Sequence, residues 1–378
     1  MSNIIGFHFH VLILLACSFL VVPASSDYRS QSNKQYALFI LGDSVFDPGN
    51  NNFRNVTIDF KADFWPYGET FFNFSTGRFT NGRILPDFLS MNLKIPLWKP
   101  YLAPGKQNFL HGANFAGGGA AALDEYSYTG TIPFSEQISY LEDVASLLKQ
   151  QLGDEKAQKI LKEAVYLCSI GGIDYLTFSG TYLNATETEE EEFVNMVIGN
   201  ITDGIKKIYA IGGRKFAFQN VGPLGCMPIV RKLFALTNDS CYEDLLNIAA
   251  LHNEALASAI EELETRLPAF KYLIYDYYNL PLDRIENPSE YGFTEGISAC
   301  CGNGTFRGSD CGIEPYELCS EPSEYVWFDG GHPTEHAYEQ LARVVWEGGP
   351  NATKPYNMKQ LFDLEVGDES TSKSWSII

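Results

Sequence analysis

The run at residues 36–41 constrains this chain more than any other stretch. It is short, apolar without alternation, and it stops abruptly at Gly42-Asp43-Ser44. A strand that is apolar on both faces belongs in a sheet covered on both sides, which is the situation of parallel strands flanked by helices. Gly42 allows a tight exit, so Ser44 falls at the carboxyl edge of the sheet. Open α/β folds bind their ligands at that edge. Gly, Asp and Ser are also ordinary turn residues, so Ser44 acquires chemical meaning only if a base stands elsewhere in the chain.

That base is at the other end. Residues 325–328 read as another short buried strand, followed by Asp329-Gly330-Gly331-His332-Pro333-Thr334-Glu335. Pro333 suits the first position of a helix, where no N–H is needed, which puts His332 near the cap. Asp329 precedes His332 by three residues across two glycines. This spacing lets the carboxylate fold back onto one imidazole nitrogen while the other points outward. Nucleophile, base and orienting acid are the parts of acyl-transfer catalysis. His332 and His336 also have the four-residue spacing of a metal pair. No third ligand is evident, so no metal and no cofactor is expected.

Between these ends, helical and strand patterns alternate. A helix is expected over 135–163, a strand over 164–170, a helix over 189–211 and a strand over 214–220. A further helix follows over 242–267 and a strand over 269–275. Alternation of this kind implies an α/β fold, with a mostly parallel sheet between two helical layers. The segment from 44 to 120 is rich in glycine and loops. Its aromatic concentration, Phe60, Phe64, Trp65, Tyr67, Phe71, Phe72 and Phe74, suits either core packing or the lining of an acyl pocket. His252 reads as a histidine of the core or surface rather than a ligand.

Several stretches together resemble the plant GDSL esterase/lipase family of the SGNH hydrolase superfamily. They are GDSVFDPGNNN after residue 41, GRFTNGRILPDFL (77–89), HGANFAGGGA (111–120), NVGPLGCMP (220–228), ACCGNG (299–304) and DGGHPTEHAY (329–338). The resemblance runs from about residue 36 to 362. It implies a three-layer αβα sandwich of flavodoxin-like type, forming a single catalytic domain over 27–363. It implies Ser44 as nucleophile, His332 as general base and Asp329 as its partner, with the amides of Ser44 and Gly82 in the oxyanion hole. The family carries Gly-x-Asn-Asp in its third block, and that Asn donates to the oxyanion. Here the run is Gly171-Gly172-Ile173-Asp174, so Ile173 stands where Asn is expected. Loss of one such donor costs a serine hydrolase roughly 3–4 kcal/mol. Three functions fit: a secreted serine esterase or lipase, an acyltransferase using the same acyl-enzyme with an alcohol or acid acceptor, or a weakly active glycoprotein with a binding or modifier role.

Residues 1–26 contain no Lys, Arg, Asp or Glu, and 11–22 is an apolar run too short to span a bilayer comfortably. With small residues at 23–26 this reads as a secretory signal peptide, with an uncleaved anchor as the alternative. No other run is long enough for a membrane span. The net charge of −20 disfavours nucleic acid as a partner, which leaves a small-molecule or lipid ester as the expected one. Cys226 with Cys241, and the group Cys300, Cys301, Cys311 and Cys319, read as three disulfides in a secreted chain, the pairing within the last four being open. Their spacing lacks the short gaps of zinc ligands. Cys168 sits in a buried run and reads as an inert thiol. Acceptor sequons occur at Asn55, Asn73, Asn184, Asn200, Asn238, Asn303 and Asn351. The destination expected from these features is extracellular or cell wall, with the vacuole as an alternative. Residues 364–378 turn polar and are expected to be a disordered tail.

Overall fold

The computed structural model describes residues 35–183, 185–237 and 240–367. The leader at 1–26, the sequons at Asn184 and Asn238, and the tail from 368 lie outside these residues.

Five parallel strands form the centre: β1 (Leu38–Gly42), β2 (Gly112–Asn114), β3 (Val165–Ser169), β4 (Lys215–Gln219) and β5 (Lys271–Tyr275). Further strands are β6 (Glu295–Ala299), β7 (Cys301–Gly302), β8 (Glu317–Leu318), β9 (Tyr325–Trp327) and β10 (Thr353–Lys354). β10 extends the sheet by pairing antiparallel with β5, giving the order β10-β5-β4-β3-β1-β2. The helices are α1 (Leu85–Leu93), α2 (Phe134–Leu152), α3 (Asp154–Glu163), α4 (Gly172–Thr181), α5 (Glu187–Ile211), α6 (Pro228–Leu233), α7 (Glu243–Arg266), α8 (Asn279–Glu286), α9 (Glu335–Glu347) and α10 (Met358–Asp363).

Both faces of the sheet are covered. Phe39 and Leu41 of β1 pack into one core with Tyr166, Phe216 and the apolar sides of α2, α5 and α7. Leu38 and Ile40 point the other way, into a second core with Leu167, Ala217 and residues of α1, α9 and α10. All four β1 side chains are fully buried. Each such burial stabilises by about 1.5–3 kcal/mol, which is why the run has no polar member.

The strand order reverses between β1 and β3. That reversal is the switch point of a flavodoxin-like sheet, where the loops leave in opposite directions and open a crevice. Gly42 makes the close passage there: a Cβ on it would lie 2.5 Å from the Ser169 carbonyl oxygen. Gln137 of α2 seals the same point, its Oε1 accepting from the Gly42 N–H at 2.7 Å and its Nε2 donating to the Gly42 carbonyl at 2.8 Å.

Two local expectations change, and one strand is placed in a sheet that the sequence left unassigned. The helix expected over 135–163 is two helices, because Gly153 adopts φ 82°, ψ 160° and stops α2. Pro333 is not the first residue of a helix. It bridges to Trp327, while Thr334 is the N-cap of α9, its side chain accepting from the Ala337 N–H. The strand leading to Asp329, β9, lies outside the main sheet and pairs with β6 instead.

Candidate active site

β1 delivers Ser44 to the switch point, and a braced turn delivers His332 to it. His332 Nε2 lies 2.7 Å from Ser44 Oγ, and His332 Nδ1 lies 2.7 and 2.9 Å from the two carboxylate oxygens of Asp329. Asp329 Oδ1 also accepts from the Gly331 and His332 backbone N–H groups at 2.9 and 2.8 Å. The two glycines thus let the chain curl around its own carboxylate. Ser44 and His332, 288 residues apart in the chain, meet with Asp329 in one hydrogen-bonded line.

A residue not foreseen completes it. Tyr67 donates its hydroxyl to Asp329 Oδ2 at 2.9 Å. Its ring packs edge-on against Phe64, Phe79 and Phe328. Aromatic density around 60–74 was visible in the sequence, but nothing marked Tyr67 as the partner of an acid 262 residues away. Burial alone would raise the Asp329 carboxyl. The neighbouring His332, the Gly331 N–H and the Tyr67 hydroxyl outweigh it and hold this group below the usual carboxylate range. Burial, reinforced by Asp329, pushes the Tyr67 phenol well up, so it stays a donor.

The sequence blocks brace this geometry. Asp47, fully buried, accepts from the Gly49, Asn50 and Gly118 N–H groups at 2.7, 2.6 and 3.0 Å. Asn50 donates to the Asn114 and Ala116 carbonyls. The loop after β1 is therefore tied to the loop after β2. Arg78 grips Asp87 through two 2.7 Å contacts in the interior. Two residues on, Thr80 donates to the Pro333 carbonyl and Asn81 accepts from the Glu335 N–H, both beside His332. Phe79 lays its ring 4.8 Å from the imidazole. The disulfides Cys300–Cys319 and Cys301–Cys311 stiffen the segment whose N–H groups bind the Trp327 and Phe328 carbonyls, just ahead of Asp329. Cys226–Cys241 closes the third bridge. Among the described residues Cys168 is the free thiol; it is buried, and burial pushes it up to about 12.

A cleft of about 370 Å³ opens over Ser44 and His332. Ile58, Phe60, Phe64, Ile173, Leu176 and Met227 give it an apolar wall. Part of the aromatic concentration thus lines the cleft, while Trp65, Phe71 and Phe74 are exposed. Gly82 is not among the lining residues. It faces the Glu335 carboxyl and the Thr70 hydroxyl, within 2.5 and 2.7 Å of where its Cβ would be. Its block braces the His332 turn from outside.

Ile173 is the second residue of α4 and is half-buried in the cleft wall. Its successor Asp174 is buried and accepts from the Ala122 and Leu123 N–H groups at 2.8 and 2.9 Å. The Asp of this block therefore anchors a loop, and the side chain at 173 is left facing the cleft. His252, fully buried in α7, meets the Tyr175 hydroxyl at 2.6 Å, and burial drops it to about 3. His336 contacts Gln340 and the Phe293 ring. Among the described residues no cluster of three or more His, Cys, Asp or Glu is arranged to hold a metal ion.

A flavodoxin-like sheet with serine, histidine and aspartate in line at its switch point is the arrangement of an α/β serine hydrolase. The chain belongs to the GDSL-like lipase/acylhydrolase family, whose sequence model matches residues 38–345. It is 44% identical over 354 residues to a GDSL lipase of Tanacetum cinerariifolium, covering 93% of this chain and 94% of that one. It is 39% identical over 373 residues to GDSL esterase/lipase 2 of Arabidopsis thaliana, covering 94% and 98%. It is also 35% identical over 355 residues to an Arabidopsis protein named as an inactive GDSL esterase/lipase-like protein, covering 94% and 81%.

Proposed function

We propose that this protein is a carboxylic ester hydrolase that works through an acyl-enzyme on Ser44. The observation that carries this reading is the unbroken line from Ser44 Oγ through His332 to Asp329, with 2.7 Å at each side of the ring. His332 takes the serine proton as Oγ attacks the ester carbonyl, and Asp329 and Tyr67 hold the ring in the tautomer with Nε2 free. The Ser44 N–H, which has no acceptor among the described residues, supplies one donor to the oxyanion. His332 returns the proton to the departing alcohol, and water then attacks the acyl-enzyme. The apolar cleft favours an apolar acyl group.

Ile173 favours a second reading. An apolar side chain beside the acyl-enzyme discourages water, so the acyl group passes to an alcohol or acid acceptor instead. Secretion is supported by the uncharged apolar leader and by three disulfides. Glycosylation is supported by exposed sequons at Asn55, Asn73, Asn200 and Asn351. The deciding experiment assays purified protein on esters of graded chain length, with and without added alcohol. Free acid alone identifies a hydrolase and new ester a transferase. Neither product from any donor would refute both.

A further inference from the structure

Asp43 is a buried carboxyl that the triad does not use. It stands between Gly42 and Ser44, is 8% exposed, and lines the cleft beside Gly172, Ile173 and His332. Its Oδ1 accepts from the Val45 N–H at 3.2 Å. Its Oδ2 has no hydrogen-bond partner among the described residues and faces the first turn of α4. A Cβ on Gly172 would lie 3.8 Å from it, in van der Waals contact. The oxygen is thus turned toward the turn that carries Ile173, where a side-chain donor is missing.

Resting on the ester-hydrolase reading, we infer that Asp43 in its neutral form is the missing oxyanion donor, its Oδ2–H reaching the carbonyl oxygen that Ile173 cannot serve. A protonated carboxylic acid donates one hydrogen bond and keeps an acceptor for Val45. Stabilisation of developing charge by such a preplaced donor is the usual largest contribution to acyl transfer. The hydroxyl proton stays on Asp43 throughout; no bond to it is made or broken, and the Ser44 proton travels only through His332.

The surroundings support a neutral Asp43. Burial pushes it up to about 6, against the lowering pull of the Val45 N–H and of His332. The titratable groups around it are His332, Asp174 of α4, Tyr275 and Tyr277 at the end of β5, and Tyr338 of α9. Asp174, raised to about 7 chiefly by burial and in part by Asp43, adds no fixed countercharge that would ionise it. The three phenols are all raised by burial and stay neutral. Among the described residues His332 is the one cationic influence on it, and it must be neutral for the enzyme to begin its cycle.

The consequence is an alkaline limb that an ordinary serine hydrolase lacks. Above about pH 6 Asp43 loses its proton, the donor disappears, and a negative charge stands beside the oxyanion. The test is the pH profile of kcat/KM on p-nitrophenyl butyrate from pH 4.5 to 8.5, for the full chain and for Asp43→Asn, whose amide donates at every pH. Wild type should fall about tenfold per unit above the limb, levelling after about 10²-fold. Asp43→Asn should show no fall above the limb and should exceed wild type at pH 8. A wild-type profile without the limb, or an Asp43→Asn variant that retains it, overturns the inference while leaving the hydrolase reading standing. If Asp43→Asn fails to fold, the rate of Ser44 phosphonylation in wild type gives the same profile and decides between the same two outcomes. A wild type that hydrolyses no ester and is not labelled at Ser44 overturns the hydrolase reading, and the inference with it.

Discussion

Replacing Ile173 by Asn tests both the oxyanion position and the role of Asp43. The backbone at 173 is fixed independently of its side chain: Gly171 caps α4 in the left-handed region and Asp174 is held by two backbone N–H groups. Asn is smaller than Ile, so it enters the cleft without displacing the turn. A restored oxyanion donor is worth roughly 3–4 kcal/mol at most, or about 10²–10³ in kcat. The gain should depend on pH. At pH 8 a carboxyl raised to about 6 is ionised in about 99 of 100 molecules, so the added amide meets an empty position. There the expected rise is about 10²-fold. At pH 5 about nine in ten Asp43 groups are protonated and already donate, so the rise should be only a few-fold. It should appear in kcat more than in KM, because the donor meets charge present only in the transition state. The assay is steady-state hydrolysis of p-nitrophenyl butyrate at the two pH values, repeated with butanol to follow transfer. Hydrolysis should gain more than transfer if Ile173 shields the acyl-enzyme. Equal gains at both pH values would refute compensation by Asp43. No gain at either, in a folded variant, would show that position 173 is not at the oxyanion.

Four further outcomes follow from the same geometry. Tyr67→Phe removes one hydrogen bond to a charged partner and should lower stability by about 1.5–3 kcal/mol and kcat by about tenfold; unchanged kcat would separate Tyr67 from the triad. His332→Ala should abolish hydrolysis while His336→Ala, whose ring meets Gln340, leaves most of it, and equal losses would point away from the triad. Asp43 and Asp47, raised to about 6, and Asp174, raised to about 7, bind protons more tightly folded than unfolded. Their contribution is full below the ordinary carboxylate range and lost as pH climbs through 6–7, whereas Asp329, held low, loses its contribution only in stronger acid. The buried His252, dropped to about 3, opposes this by taking up a proton only when unfolded, but three carboxyls outweigh one imidazole, so the melting temperature should be higher at pH 5 than at pH 8, and the reverse order would contradict the burial of these carboxyls. Opening Cys300–Cys319 by serine substitution should cost about 2–5 kcal/mol, read by urea unfolding; a loss of activity with no loss of stability would give the bridge a different role.

Much of the scaffold was legible because burial writes directly into sequence. Residues 38–41 are apolar at every position since β1 has helices on both faces, and the parallel order follows from the alternation with helices. Ser44 and the Asp329–His332 turn were legible because local spacing determines their geometry: two glycines over three residues suffice to fold the carboxylate onto the ring. What depends on distant chain was not. Tyr67 reaches Asp329 across the fold, Gly82 lies beside the Glu335 carboxyl, and β9 leaves the main sheet to pair with β6. The pairing of four cysteines within twenty residues is likewise set by the β7–β8 hairpin, in which Cys301 faces Leu318. Asp43 looked like a turn residue, and only its burial beside Ile173 gives it a different meaning.

The central claim is that Ser44 is a nucleophile activated by His332. Its most direct measurement is intact-mass and peptide analysis of the purified protein after reaction with a fluorophosphonate ester. The account predicts one adduct per chain, on Ser44, absent in Ser44→Ala together with ester hydrolysis and strongly slowed in His332→Ala. An adduct on another residue, or hydrolysis undiminished in Ser44→Ala, would contradict it.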